Sequence, residues 1–180
     1  MSENKNPEHS KLLNVDLSSS NKFLDDIKKF NDLYKIESND LPSLPSLERL
    51  KNFKNILGEE LEEIDEIIKK YDQLISPHIY TLGENPSQEQ INLAVPKDKK
   101  IEILTELADW LGDIKVYVAS EARRYGLPIY DVLDIIMQSN FSKLGADGKP
   151  IYDERGKVMK GPNYWKPEPK IKDLLSDKFV

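Results

Sequence analysis

The side chains in this sequence best placed to do chemistry are carboxylates, and their spacing says more than their number. Leu50, Phe53, Leu57, Leu61, Ile64, Ile68, Tyr71 and Ile75 recur at three- and four-residue steps, the stripe of a long amphipathic helix starting near Leu47. At about 100° per residue, Glu60 and Glu63 fall roughly 60° and 120° to one side of Leu57. Ile56 and Ile67 occupy the same shoulder, so two acids interrupt an apolar line, while Glu62 and Glu66 point nearly opposite the stripe and read as solvated. A second helix, expected over 97–124, repeats the pattern with the stripe Leu104, Leu107, Leu111, Ile114 and Val118. Glu106 and Asp113 lie roughly 100° and 120° from Leu107, between Trp110 and Tyr117, with Asp109 a little further round.

If these two shoulders face each other, four or five carboxylates converge. Crowded carboxylates repel and lose hydration, so they take up protons or bind a hard cation. Mg²⁺, with Mn²⁺ as its alternative, prefers oxygen ligands and keeps waters for substrate phosphates. Spacing alone leaves the plainer reading open, because an acidic run such as EELEEIDE (59–66) also suits a solvated helix face, and Glu66 is placed to pair with Lys70 one turn on.

The elements around these helices follow from periodicity and breakers. Phe23, Leu24, Ile27, Phe30, Leu33 and Tyr34 predict a first helix from Asn21, with Asn21 as its cap. The prolines of LPSLPSL (41–47) end it and leave Ser46 to cap the next. Residues 76–96, with three prolines and a glycine, read as a long connection. The 97–124 helix should stop at Gly126, and a further helix should run from about Pro128 toward Gly145. Beyond it, β-like runs at 150–152 and 157–159 flank an Asp-Glu-Arg-Gly turn, which predicts a small hairpin and then an extended segment. The expected architecture is all-α, a four-helix bundle over 21–146. Residues 147–180 should complete that domain, and 1–20 should form a disordered or loosely docked arm.

Composition removes other classes. The chain has 180 residues, 26 Lys and Arg against 32 Asp and Glu, a net charge of −6 and no cysteine. That excludes disulfides and thiolate zinc sites and suits a reducing compartment, so a cytoplasmic location is expected. An acidic chain without a basic stripe should not bind a nucleic-acid polymer, and no apolar run approaches the roughly 20 residues of a membrane span. There is no GxxxxGK[ST] loop, GxSxG elbow or HExxH pair.

The two acidic helices carry Glu59-Glu60-Leu61-Glu62-Glu63 and Glu106-Leu107-Ala108-Asp109. These resemble the EExxE and ExxD motifs of the all-α NTP pyrophosphohydrolase superfamily, the MazG-like, phosphoribosyl-ATP pyrophosphohydrolase-like and dimeric dUTPase-like proteins. KFNDLY (29–34) is similar to the first-helix Phe-His run, with Asn31 where histidine is frequent. SNFSKLGADGKPIYDERGK and KVMKGPNYWKP resemble the phosphoribosyl-ATP pyrophosphohydrolase-like branch. The resemblance spans most of 22–170 and implies a MazG-like fold that cleaves a nucleotide between its α and β phosphorus atoms. It implies that Glu60, Glu63, Glu106 and Asp109 are metal ligands, with Asp113 an alternative one turn on, and that Glu59 orients or deprotonates the attacking water. On the helical wheel, however, Glu59 points well away from Leu57. Homodimers or dimers of dimers are implied as well. Phosphate-side partners should be cationic or amide-bearing, and Asn140, Lys143, Lys160, Asn163 and Tyr164 are the candidates. A competing expectation is a catalytically idle helical module that binds a nucleotide or a protein.

Overall fold

The computed structural model describes residues 17–178, and side chains from Lys22 onward. Among them are seven α-helices and one 3-10 turn: α1 (Leu17–Leu33), α2 (Leu47–Leu74), α3 (Ser76–Ile79), the turn Tyr80–Leu82, α4 (Gln88–Ala94), α5 (Lys97–Arg124), α6 (Ile129–Phe141) and α7 (Glu168–Ser176). The all-α expectation holds. None of the described helices is long and apolar enough to cross a membrane.

The long helices follow their sequence signals closely. Ser46 caps α2 by accepting the amide of Arg49 at 3.0 Å, and α5 covers the 97–124 stretch its periodicity predicts. Three expectations need correction. Asn21 lies inside α1, which begins at Leu17, because the serines of 18–20 cost a helix only tenths of a kcal/mol each. The 76–96 connection folds into short helices, one of them α4 behind the Ser87–Gln90 capping box. The tail is not extended to its end but forms α7, whose Pro169 sits in the first turn where a missing N–H costs nothing. Most of the predicted 1–20 arm lies outside the described residues.

The chain divides into two compact units, 44–118 and 1–43 with 119–180, so α5 gives 22 residues to one and six to the other. In the 44–118 unit, Ile75, Val95 and Ile103 form the buried core, with Leu74, Ile79 and Ile91 against it. The stripes of the two long helices are only partly covered. Leu61 is 61% and Leu104 60% exposed, and Ile68 and Leu111 are also open. Apolar stripes with this period are the faces that amphipathic helices ordinarily bury. Two long helices and a few short turns supply too few neighbours to enclose both.

The other unit is tied together by polar bonds around the end of α5. Asn31 is fully buried and accepts the Ser120 hydroxyl at 2.8 Å, while its amide reaches the Ser120 carbonyl at 3.4 Å. Asn39 donates to the Arg124 carbonyl at 2.6 Å. Gly126 closes the helix with φ +63°, and a Cβ there would stand 2.1 Å from the Leu41 carbonyl, so both the conformation and the close approach require glycine. The expected hairpin is a single antiparallel bridge, Tyr152 with Val158, around a turn in which Asp153 Oδ1 accepts the amides of Arg155 and Lys157. Ser139 and Ser142 then fasten Trp165 to α6, through its carbonyl at 2.8 Å and its amide at 3.2 Å.

Candidate active site

Carboxylates of α2 and α5 line one open hollow within the 44–118 unit. The hollow, of about 490 Å³, is lined by Glu59, Glu62, Glu63 and Glu66 from α2 and by Glu106 and Asp109 from α5, with Ile67 and Trp110 as its apolar wall. The volume lies in the range of small-ligand sites. Glu59, Glu63, Glu106 and Asp109 therefore share the lining of one hollow. One wheel-based reading is corrected: Glu59 lines the hollow. Glu62 and Glu66 line it too and remain exposed to water, as the wheel implies. The hollow spans a broad arc of α2, and an angle measured from Leu57 alone placed Glu59 too far from α5.

Glu60 stands apart from that lining. It is 4% exposed, and among the described residues its Oε2 has no hydrogen-bond partner. Burial chiefly pushes its carboxyl above the ordinary range, and the charges of Glu63, Asp113 and Glu59 push the same way. Asp113 thus belongs to the cluster through Glu60, though it does not line the hollow. Tyr117 feels the same field. Burial, then Glu60, Asp113, Glu63 and Glu59, raise its phenol. The two helices are pinned at this level by Trp110, whose indole N–H donates to the Glu60 carbonyl at 2.7 Å. That bond explains why a tryptophan sits on the acidic shoulder of α5.

Sequence reasoning missed Lys70. Its ammonium goes across to α5, where Glu102 accepts at 2.7 Å and Glu106 accepts as well. The expected partner was Glu66 on its own helix. The available signal was position, since Lys70 continues the Glu63 and Ile67 face of α2 by one more turn.

Whether these residues suit a metal ion can be judged from their chemistry and placement. All the candidate ligands are carboxylate oxygens, the donors Mg²⁺ and Mn²⁺ choose. Glu60 Oε2 is a buried carboxyl oxygen without a hydrogen-bond partner, of the kind a cation would satisfy. As placed, no group of three His, Cys, Asp or Glu side chains among the described residues is arranged to hold a metal ion. The donor set fits such an ion, but ligation would require side-chain movement, including release of Glu106 from Lys70.

The candidate phosphate-side residues lie in the other unit and gather locally. Lys143 donates to Asn140 Oδ1 at 2.7 Å. The Lys143 carbonyl accepts the Gly161 amide at 2.9 Å, and Lys160 lies over the Tyr164 ring at 4.5 Å. Gly161 allows this approach, since a Cβ there would meet the Leu144 carbonyl at 1.9 Å. Asn163 is exposed between them.

No family model matches the sequence, and no curated protein matches it. Among solved structures, the chain is similar to a protein from Exiguobacterium sp. 255-15, provisionally named an NTP pyrophosphohydrolase. Identity is 20% and the TM-score 0.43, over 85% of this chain and 93% of that one. The described chain is all-helical, as the resemblance of its acidic motifs and tail implies.

Proposed function

We propose that the chain is a Mg²⁺-dependent nucleotide pyrophosphohydrolase, which cleaves a nucleoside triphosphate or related nucleotide between the α and β phosphates to a monophosphate and pyrophosphate. The observation that carries this reading is Glu60, a buried carboxylate with an unpartnered oxygen, coupled to Glu63, Asp113 and Glu59 beside a hollow lined by six acids. Such a hollow repels a polyphosphate unless cations enter with it. A surface that merely needs solubility has no reason to bury one of its acids.

Glu60, Glu63, Glu106 and Asp109, with Asp113 behind Glu60, would hold the metal. Bound there, it neutralises phosphate charge and lowers the pKa of a bound water. The chain's own groups do the rest. Glu59 lines the hollow next to Glu63 and is exposed, so it can accept the proton of the attacking water. The water oxygen bonds to the α phosphorus, the bond to the bridging oxygen breaks, and pyrophosphate departs in line. Ile67 and Trp110 offer an apolar wall against which a base can rest. Asn140, Lys143, Lys160, Asn163 and Tyr164 are proposed as an anion-binding group on the strength of their amide and ammonium donors.

The open apolar stripes of α2 and α5 support pairing of two copies as a homodimer or a dimer of dimers, since exposed Leu61, Ile68, Leu104 and Leu111 form continuous helical faces. Light scattering on the purified chain tests this, and a monomer at micromolar concentration would refute it. The activity is tested by pyrophosphate release from a panel of ribo-, deoxyribo- and modified nucleoside triphosphates and phosphoribosyl-ATP, with Mg²⁺ and with chelator. Release from at least one, abolished by chelator, is expected; no release from any would leave an idle binding module as the better reading.

A further inference from the structure

Lys70 reaches across from α2 to two carboxylates one turn apart on α5, Glu102 and Glu106. Only Glu106 lines the hollow, so the ammonium straddles the edge of the acidic cluster, with one partner inside it and one outside. Its side chain is 33% exposed and Glu102 is 47% exposed. Moving the ammonium therefore strands no buried charge, and the flexible four-carbon stem with three donors permits a change of partner. The charge it supplies leaves the cluster uncompensated at its centre, where Glu60 Oε2 remains without a partner.

We propose that Lys70 is a resident counter-ion of the acidic cluster, shared between Glu106 and Glu102, and that a divalent cation displaces it from Glu106 onto Glu102 alone. The inference rests on the cation reading given under Proposed function. Two cations on one carboxylate repel across a few ångströms, so the ammonium and the metal compete for Glu106. The metal brings twice the charge and direct oxygen contacts, whereas Lys70 holds the site together until it arrives. Glu102 is the parking place that makes the exchange cheap. Lys70 is thus a positioning residue that sets how readily the site loads, and Glu102 acts only through it.

The test is Mn²⁺ binding to the full chain without nucleotide, by titration calorimetry, for the wild type, Lys70→Met, Glu102→Gln and the double variant, each checked for helicity. Lys70→Met should bind Mn²⁺ about tenfold more tightly, equivalent to about 1.4 kcal/mol. Glu102→Gln alone should bind several-fold more weakly, because the ammonium then has only Glu106. In the Lys70→Met background, Glu102→Gln should change nothing. A general charge effect would instead make the two substitutions additive. The proposal is overturned if Lys70→Met binds within twofold of the wild type, or if Glu102→Gln weakens binding equally in both backgrounds. If none of the four proteins binds Mn²⁺, the cation reading itself fails, an outcome distinct from either of these.

Discussion

Replacing Glu60 by glutamine should stabilise the metal-free protein, which is unusual for a substitution at a buried position. Glu60 is 4% exposed, and its Oε2 has no partner among the described residues. Burial and the charges of Glu63, Asp113 and Glu59 all oppose its ionisation. At pH 7 the chain either keeps a proton on this group or tolerates a buried, repelled anion. The first option sets a ceiling, because holding a proton from an ordinary value of 4.5 up to pH 7 costs about 3 kcal/mol at about 1.36 kcal/mol per pH unit. Glutamine has nearly the same shape and carries no charge, so it removes the repulsion from Glu63, Asp113 and Glu59, and a gain below that ceiling is expected. For a chain of this size that raises Tm by roughly 2–4 °C per kcal/mol. The assay is thermal unfolding at pH 7 in chelator and in millimolar Mg²⁺. The wild type should gain stability from Mg²⁺ by mass action, and Glu60→Gln should lose most of that gain. A lower Tm for Glu60→Gln in chelator would mean that Glu60 makes a favourable internal bond, and the reasoning from its unpartnered oxygen would be wrong.

In chelator, the stability that Glu60 contributes should grow as pH falls toward its ordinary value of 4.5. Glu60 holds its proton more tightly in the folded chain than at the ordinary value of 4.5, so the stability linked to this group is complete below that value and is lost as pH climbs through the raised folded one. Asp26 and Asp40, held low by hydrogen bonds from Lys22 and Arg123, act in the opposite sense only as pH falls toward and below 3.8, outside this window. A pH series of melts should therefore be steeper for the wild type than for Glu60→Gln, and parallel curves would count against it. Glu63→Gln should lower turnover by at least a hundredfold with unchanged circular dichroism, since it removes a candidate ligand from the exposed rim of the hollow; retained pyrophosphate release would exclude Glu63 as a ligand. Asn31→Leu should destabilise by about 1–3 kcal/mol in urea unfolding, because it leaves the Ser120 hydroxyl and carbonyl without their buried partner. An unchanged midpoint would show that this bond contributes nothing.

The parts of the molecule that were legible in the sequence are those set by one helix's own chemistry. Ser46, the α5 stretch from Lys97 to Arg124 and the stop at Gly126 follow from capping and periodicity, and the structure keeps all three. The approach of Glu63 to Glu106 was legible as a shared shoulder, with Asp109 a little further round, because period 3.6 places residues on a face whatever the fold; Glu59 came only from the resemblance, and Glu60 and Asp113, which the wheel put on the same shoulders, do not line the hollow. Relations between helices were less legible. The wheel put Glu62 and Glu66 in solvent, where they are, but could not show that they rim a hollow shared with α5, and Lys70 was paired along its own helix because i,i+4 is the contact a lone helix offers. α7 was hidden by PNYWKPEP, whose three prolines look like an extended tail unless Ile171, Leu174 and Leu175 are counted as one helical face. Burial was the least legible quantity. The Leu61 and Leu104 stripes have the pattern of core residues, and pattern alone does not say whether the covering surface comes from the same chain.

The central claim, that the α2 and α5 carboxylates share a divalent cation, is tested most directly by anomalous diffraction from Mn²⁺-soaked crystals. The expected result is a peak between the two helices with Glu60 and Glu63 oxygens at about 2.0–2.2 Å and Lys70 withdrawn from Glu106. A map with no peak there, or with Mn²⁺ held only at scattered surface acids, would contradict it.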